Sequence, residues 1–405
     1  MADFGPTERD AFAIEVRDWL AANYPAELRD RSMRSDPEAG WGGRAFSGSS
    51  DPQIVWMRRV ADKGWTAPTW PAAYGGGGLS PEQARIVERE LAAGRYRSPL
   101  ASFGLWMLGP VLLEYATEAQ KQAHLPKIAR GEIRWCQGYS EPGAGSDLAS
   151  LATRCEDKGD HWLINGSKIW TSYANKADWC FCLVRTDATK KHEGISFVLI
   201  DMASPGVETR PIPLISGESP FCETFFTDLK IPKENLVGRV NGGWEIAKRL
   251  LQYERQNISA GFGEGGSAGG ASGDLGAIAK QYSGDADVLS DNDLRTRITR
   301  NKMDFQALRQ TIGRSAAESQ AGNGPSAATS IIKFAAAEFA KERSELMVEA
   351  MGHQALGWDG PGYEPPEILA VRGWLRTKAN SIEGGTSEVN LNVISKRVLG
   401  LPDLK

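Results

Sequence analysis

Apolar positions along the first 134 residues recur at helical spacing. Phe12, Ile14, Val16, Trp19 and Leu20 form one stripe, and residues 54–61 form another. Two helix starts are marked by their caps. Ser80-Pro81-Glu82-Gln83 puts a hydroxyl before a first-turn proline and an early acid, ahead of Ile86, Val87 and Leu91. Thr117-Glu118-Ala119-Gln120 repeats the capping-box pattern. Between the 54–61 stripe and the Ser80 cap, residues 65–78 hold Trp65, Trp70 and Tyr74 among prolines and four consecutive glycines, which predicts a shaped loop. From residue 135 to about 240 the spacing shortens to two. His161-Trp162-Leu163-Ile164-Asn165-Gly166 reads as a strand entering an Asn-Gly turn, and Ser167-Lys168-Ile169-Trp170 as the strand leaving it, a hairpin. Residues 179–184 and 195–200 are further strands, and Phe225, Leu229 and Ile231 fit a last one ended by Pro232. Helical spacing returns at Gly242 with Trp244, Ala247, Leu250 and Leu251. A Gly-rich insert at 261–274 follows, and then helices are expected at 291–321, 326–352 and 389–399. The expected fold class is α+β. It has an N-terminal helical domain (1–134), a middle β domain of barrel or sandwich size (135–240) and a C-terminal helical bundle (241–405).

Composition narrows the class without naming a function. The 405 residues are 41% hydrophobic and 24% charged, which excludes collagen, a disordered chain and a disulfide-stapled miniprotein. The net charge of −4 has its signs interleaved, so a general nucleic-acid or anionic-membrane surface is disfavoured. Residues 98–113, the longest uncharged stretch, fall short of the roughly 18–20 apolar residues of a membrane span. The opening carries acidic residues and no basic-then-apolar leader, which points to a cytoplasmic protein. Cys136, Cys155, Cys180, Cys182 and Cys222 have no metal-like spacing, and no metal site is expected. Cys180 and Cys182 alternate within a strand, so both thiols face one side as small buried hydrophobes.

Candidate chemistry concentrates in Trp135-Cys136-Gln137-Gly138-Tyr139-Ser140-Glu141-Pro142-Gly143-Ala144-Gly145-Ser146-Asp147. A hydroxyl precedes the turn, two glycines let backbone amides approach a ligand, and a polar pair follows. Such loops bind phosphates and heteroaromatic edges, although a plain interdomain turn has the same composition. The stretch resembles the flavin-binding signature of the acyl-CoA dehydrogenases. The resemblance continues in Ile164-Asn165-Gly166-Ser167-Lys168-Ile169-Trp170-Thr171-Ser172. It extends to Gly384-Gly385-Thr386-Ser387-Glu388, ahead of Arg397-Val398-Leu399-Gly400-Leu401-Pro402. Three motifs in family order span nearly the whole chain.

The resemblance implies FAD as cofactor. Gln137, Tyr139, Ser140, Gly145, Ser146, Trp170, Ser172, Thr386 and Glu388 would contact it, with Ser140 at the pyrimidine edge, Trp170 over the rings and Ser172 near the reactive nitrogen. Serine at 140 and 172 keeps the hydroxyl of the family's commoner threonine. Ser146, Arg255 and the Gly384 backbone N–H would meet the acyl-CoA substrate. The reaction requires a carboxylate to remove the proton α to a thioester, donors to the thioester oxygen, a flat oxidant and exclusion of water. Many members place the glutamate directly before Gly-Thr in the C-terminal motif. Here Gly384 stands at that position, and Glu383 is displaced by one residue. A branch resembling isovaleryl-CoA dehydrogenase carries its base at the place of Glu254, just before an arginine, so Glu254 is the expected catalytic base and Glu383 the alternative.

The Arg-x-x-Phe-Gly-like segment with which many members hold the FAD diphosphate of a neighbouring subunit is not found. The glycines of 261–266 stand there: either their amides take over or one FAD site per pair is lost, and a surface loop is the expected reading of the glycines themselves. This pattern is similar to members assembled as two-plus-two hetero-oligomers acting on large, ring-bearing or dicarboxylic acyl-CoA, against a plain homotetramer. The leading expectation is an acyl-CoA dehydrogenase passing electrons to an electron-transfer flavoprotein. A same-fold flavin oxidase or monooxygenase, and a non-catalytic subunit completing a partner's FAD site, are the alternatives.

Overall fold

A computed structural model describes residues 6–29, 38–261, 274–283, 288–318 and 328–402. The chain falls into two compact units, Met1–Ile212 with Pro220–Glu254, and Pro213–Ser219 with Arg255–Lys405. The order is helices, then a central sheet, then helices, as the hydrophobic pattern predicts.

Five helices open the first unit. They are α1 (Pro6–Asn23), α2 (Pro52–Asp62), α3 (Pro81–Ala93), α4 (Gly109–Tyr115) and α5 (Glu118–Ala129). In α1 the buried row is Ala13, Val16 and Leu20, spaced by three and four, whereas Ile14 is 53% exposed. The expected stripe is thus corrected by one face. Asp51 caps α2 by accepting from the Gln53 N–H at 2.7 Å. Ser80 with Gln83, and Thr117 with Gln120, form the two reciprocal capping boxes, which satisfy first-turn donors that would otherwise lack partners. The loop at 65–78 turns Trp70 into the main apolar cluster. Its ring fits because residue 109 is glycine: a Cβ there would lie 2.1 Å from Trp70 Cη2.

The sheet comprises β1 (Trp135–Gly138), β2 (Arg154–Asp157), β3 (His161–Ser172), β4 (Trp179–Arg185), β5 (Ile195–Asp201), β6 (Val207–Ile212), β7 (Phe221–Pro232) and β8 (Leu236–Val237). Its order is β6-β7-β3-β2-β4-β5-β8, with β1 parallel to β4. Alternation divides β4 between two cores. Phe181 and Leu183 join the cluster that holds Trp135, Tyr139 and Phe197. Cys180, Cys182 and Val184 join the other, with Cys136, Cys155 and Cys222. All five thiols are buried and free. Burial pushes Cys155 up to about 12, so that sulfur stays protonated.

The expected Asn-Gly hairpin is not formed. β3 runs unbroken through Asn165 and Gly166, where its register against β7 slips in a bulge. Asn165 is engaged across the sheet instead. Its amide nitrogen donates to Asp228 Oδ1 at 3.2 Å, and its oxygen accepts from the Asp228 N–H at 2.8 Å. Gly166 lies so close to β2's approach that a Cβ would sit 2.7 Å from Thr153 Cα. The turn of the β2–β3 hairpin lies earlier, where the Lys158 N–H donates to the His161 carbonyl at 3.0 Å and Gly159 has φ +92°.

Helix α6 (Gly243–Gly261) returns to the first unit, burying Ile246, Ala247 and Leu250 in the main cluster. The second unit holds α7 (Leu275–Ser283), α8 (Asn292–Glu318), α9 (Ala328–Met351), α10 (Pro365–Thr377) and α11 (Ser387–Val393). Leu346, Met347 and Met351 of α9 pack with Leu275, Ala279, Leu294 and Ile298 of α7 and α8. After α11 the chain widens into a π-helical turn at Ile394–Val398, where a continuous helix to residue 399 is expected from spacing. Residues 262–273 of the Gly-rich insert lie outside the described residues. No described helix is long and apolar enough to cross a membrane.

Candidate active site

Two of the three motifs meet in the first unit. β1 delivers Gln137 and Tyr139, and the chain then turns tightly: the Glu141 N–H donates to the Ala144 carbonyl at 3.1 Å, and the Ala144 N–H donates back at 2.9 Å. The Ser140 carbonyl accepts from the Ile169 N–H at 2.9 Å, which ties the loop to β3 one residue before Trp170. Ser140 and Ser172 are half-buried, whereas Gly145 and Ser146 are exposed. A Cβ at Gly143 or Gly145 would meet nothing within 4 Å, so the loop's outer side is open.

An ion pair holds the two segments together. Lys168 Nζ donates to Glu141 Oε1 at 2.7 Å and to the Tyr139 carbonyl at 3.2 Å. Both side chains are buried. Glu141 also accepts from the backbone N–H groups of Ala152 and Thr153 at 2.6 and 2.9 Å. Burial alone would raise its pKa, but Lys168 and these donors hold it below the ordinary carboxylate range. Nothing in the motifs themselves marks this pair. The available signal is a lysine on the inward row of a strand, and the hairpin expected at Asn165-Gly166 hides it.

Trp170 is presented outward. It is 52% exposed, with its edge toward Phe221 at 6.0 Å, and its backbone is left-handed at φ +60°. A bulky residue held there is strained and persists only where its surroundings fix it. Tyr173 is also left-handed, at φ +52°, and its N–H donates to the Pro220 carbonyl at 2.7 Å. Around these segments, Gln137 Nε2, the Tyr139 hydroxyl and the Thr171 hydroxyl are buried without a hydrogen-bond partner. An exposed indole and a half-buried serine at the end of β3, with unsatisfied polar atoms on the same two segments, fit a flat heteroaromatic group with a polar edge.

Glu254 lies on α6, on the same face as Ala247 and Leu250, which precede it by about two turns and one. Those two residues share a cluster with Tyr139. Burial pushes the Tyr139 hydroxyl well above its ordinary pKa, and the Glu254 carboxylate, within electrostatic reach, raises it further. A different face of α6 is fixed to α4. Arg249 Nη2 donates to Glu114 Oε1 at 2.7 Å and to the Tyr253 hydroxyl at 2.9 Å, and that hydroxyl donates to Glu114. Burial and this last bond push Tyr253 up to about 12. The ion pair thus restrains the rotation of the helix that carries Glu254. The Arg255 side chain lies outside the described residues.

The third motif belongs to the second unit. Glu383 accepts from Arg376 Nη2 at 2.7 Å and Nη1 at 3.3 Å, and its side chain is largely exposed. Gly384 is exposed, with φ +62°. Thr386 caps α11 by accepting from the Val389 N–H at 3.2 Å, and Glu388 is exposed in that helix's first turn. Asn390 Nδ2 braces the turn by donating to the Gly385 and Thr386 carbonyls at 3.0 and 2.9 Å.

Family comparisons agree with this layout. Residues 8–132 match the N-terminal domain of acyl-CoA dehydrogenases, 136–229 the middle domain and 241–399 the C-terminal domain. Acyl-CoA dehydrogenase IpdE1 of Mycobacterium tuberculosis is 34% identical over 394 residues, covering 97% of this chain and 98% of that protein. Among solved structures, the Tcur3481-Tcur3483 steroid ACAD aligns with a TM-score of 0.73 at 27% identity, covering 100% of both chains. The ChsE4-ChsE5 complex from Mycobacterium tuberculosis aligns with a TM-score of 0.71 at 27% identity, again over 100% of both chains. Family models covering most of the chain, and a full-length relative at this identity, place the protein in the acyl-CoA dehydrogenase family, whose members are FAD-dependent oxidoreductases.

Proposed function

We propose that this chain catalyses FAD-dependent α,β-dehydrogenation of an acyl-CoA thioester, with Glu254 removing the α-proton. The observation that carries this reading is the placement of Glu254 on the face of α6 whose Ala247 and Leu250 join the apolar cluster that also holds Tyr139, the residue before Ser140. Glu383 is the weaker candidate, because its carboxylate is engaged by Arg376 and exposed. A base must reach its proton in a site sheltered from water.

Residues Gln137, Tyr139, Ser140, Gly145, Ser146, Trp170 and Ser172 would hold the cofactor, and the family resemblance also assigns Thr386 and Glu388 to cofactor binding. A bound FAD supplies the two-electron acceptor for the hydride leaving the β carbon. Trp170 would cover the ring system and exclude water, while the half-buried Ser140 and Ser172 hydroxyls donate to ring heteroatoms. The Gly384 N–H, which needs no side chain, would donate to the thioester oxygen, with Ser146 and Arg255 meeting other parts of the substrate. An electron-transfer flavoprotein is the proposed oxidant.

For the acyl group we infer a ring-bearing one, and for the assembly a pairing with a second, related chain. The support is likeness to a steroid enzyme and to a complex of two differently named subunits. The test is to titrate the flavin-loaded chain, alone and with candidate partner chains, with short, long, branched, aromatic and steroid-like CoA esters. Bleaching by the ring-bearing esters is expected. Bleaching by straight-chain esters alone would reject the substrate class. Oxygen consumption with every ester that bleaches would favour an oxidase.

A further inference from the structure

We propose that a row of aromatic side chains, Tyr173, Trp41, Phe103 and Trp106, is the platform on which the acyl group's rings lie, and that it selects a flat, fused-ring, largely apolar group. This rests on the proposed reaction with a ring-bearing ester, and it names the residues that recognise the rings. The row is continuous. Ring centroids are 5.2 Å apart from Tyr173 to Trp41, 5.5 Å from Trp41 to Phe103 and 5.2 Å from Phe103 to Trp106. Neighbours meet tilted or edge to face, at 50°, 68° and 74°, so they do not use up one another's faces, and a further ring has faces to stack on. All four residues are half-buried. By contrast Trp56, Trp135 and Phe181 of the same unit are fully buried, as rings that serve packing alone are expected to be.

The row begins next to the reacting atoms. Tyr173 directly follows Ser172, the residue proposed to lie near the reactive ring nitrogen. The hydride leaves the β carbon toward that nitrogen, so whatever the acyl chain carries beyond the β carbon starts close to Ser172, and neighbouring Cα atoms are only about 3.8 Å apart. The backbone is irregular at both ends of the row. Tyr173 is left-handed at φ +52°, with its N–H donating to the Pro220 carbonyl at 2.7 Å, and Phe103 leads into a π-helical turn, Gly104–Leu108, that carries Trp106. Such irregularities concentrate at functional sites. Arg134 fixes the middle of the row. Its guanidinium carbon lies over Trp41 at 5.0 Å and over Tyr173 at 5.1 Å, and Nη1 donates to Glu38 at 2.6 Å. Nη2 is buried with no hydrogen-bond partner among the described residues. An apolar side chain would fill that space without an unsatisfied donor, so packing alone does not account for arginine here. A cation against two ring faces holds both rings in place before a ligand arrives.

Trp41→Ala and Phe103→Ala in the full, flavin-loaded chain, with any partner chain it needs, test this. The probe is a fused-ring CoA ester that bleaches the unsubstituted protein, titrated over concentration. Each variant should raise the half-saturating concentration about tenfold or more, with the bleaching rate at saturation within a few-fold of normal. A purely structural role would lower flavin content or the saturating rate and leave half-saturation where it was. Phe103→Leu keeps apolar bulk while removing the ring, so it decides the matter should the alanine variants fold poorly, and a rise of about threefold or more is expected. Unchanged half-saturation in both alanine variants, or in Phe103→Leu where those do not fold, would overturn the inference and leave the reaction in place. If no ring-bearing ester bleaches the unsubstituted protein, the substrate reading itself fails and the row is no acyl platform.

Discussion

Lys168 Nζ lies 2.7 Å from Glu141 Oε1, and the pair is buried between the two segments proposed to cradle the cofactor. One partner stands on β3 two residues before Trp170, the other one residue after Ser140. A buried ion pair is seldom a net gain in stability over apolar packing, but removing one partner leaves an uncompensated charge. Its consequence here is geometric, because it fixes the spacing between the Ser140 loop and the Trp170 strand end.

Replacing Lys168 by Met should therefore destabilise the protein by about 3–5 kcal/mol, since Glu141 would keep its charge with only backbone donors. Denaturant unfolding measures the loss, and flavin retention should fall with it. Glu141's pKa is depressed in the fold. The stability contributed by the pair is thus present above the ordinary carboxylate range and lost as pH falls through the depressed value. An equally stable Lys168→Met protein would show that the pair is incidental.

Trp170 makes the opposite prediction. Its left-handed backbone costs about 1–2 kcal/mol for a side chain with a Cβ, and its ring is half in solvent. Trp170→Gly should leave stability unchanged or raise it by about 1 kcal/mol, while flavin binding and its visible spectrum suffer. A drop of several degrees in melting temperature with normal flavin content would mark Trp170 as a packing residue instead.

The sequence pattern carries the helix–sheet–helix order well because that order depends on local spacing and caps. The Ser80 and Thr117 boxes are contacts between residues three apart, and they form as expected. Asn165-Gly166 misleads because the same dipeptide serves a tight turn and a bulge. Its outcome is decided by Asp228, which lies 63 residues away. Ile14 misleads because a continuous apolar run fits more than one helical face. The links from Lys168 to Glu141 and from Arg249 to Glu114 join segments distant in sequence. Spacing within one motif contains no trace of them.

His124 gives a pH signature separate from the carboxylates. It is buried with its ring edge-on to Trp135 and Trp179 at 5.4 and 5.0 Å, and burial, aided by Lys127, pushes its pKa down to about 4. The folded state binds this proton less readily than the unfolded state. Stability is therefore full above about pH 6.5 and declines as pH falls toward 4, by about 3 kcal/mol for this group. His124→Phe should flatten the melting temperature between those values. An unchanged slope would assign the acid sensitivity to other groups.

Glu254 and Glu383 are separated most directly by substituting each with Gln, loading both variants with FAD and adding an acyl-CoA that bleaches the unsubstituted protein. Both should retain flavin. Glu383→Gln loses only the Arg376 contact and should bleach at a rate within a few-fold of normal, whereas Glu254→Gln should be slower by several orders of magnitude. Near-normal bleaching in Glu254→Gln, with loss in Glu383→Gln, would contradict the account and move the base to the second unit.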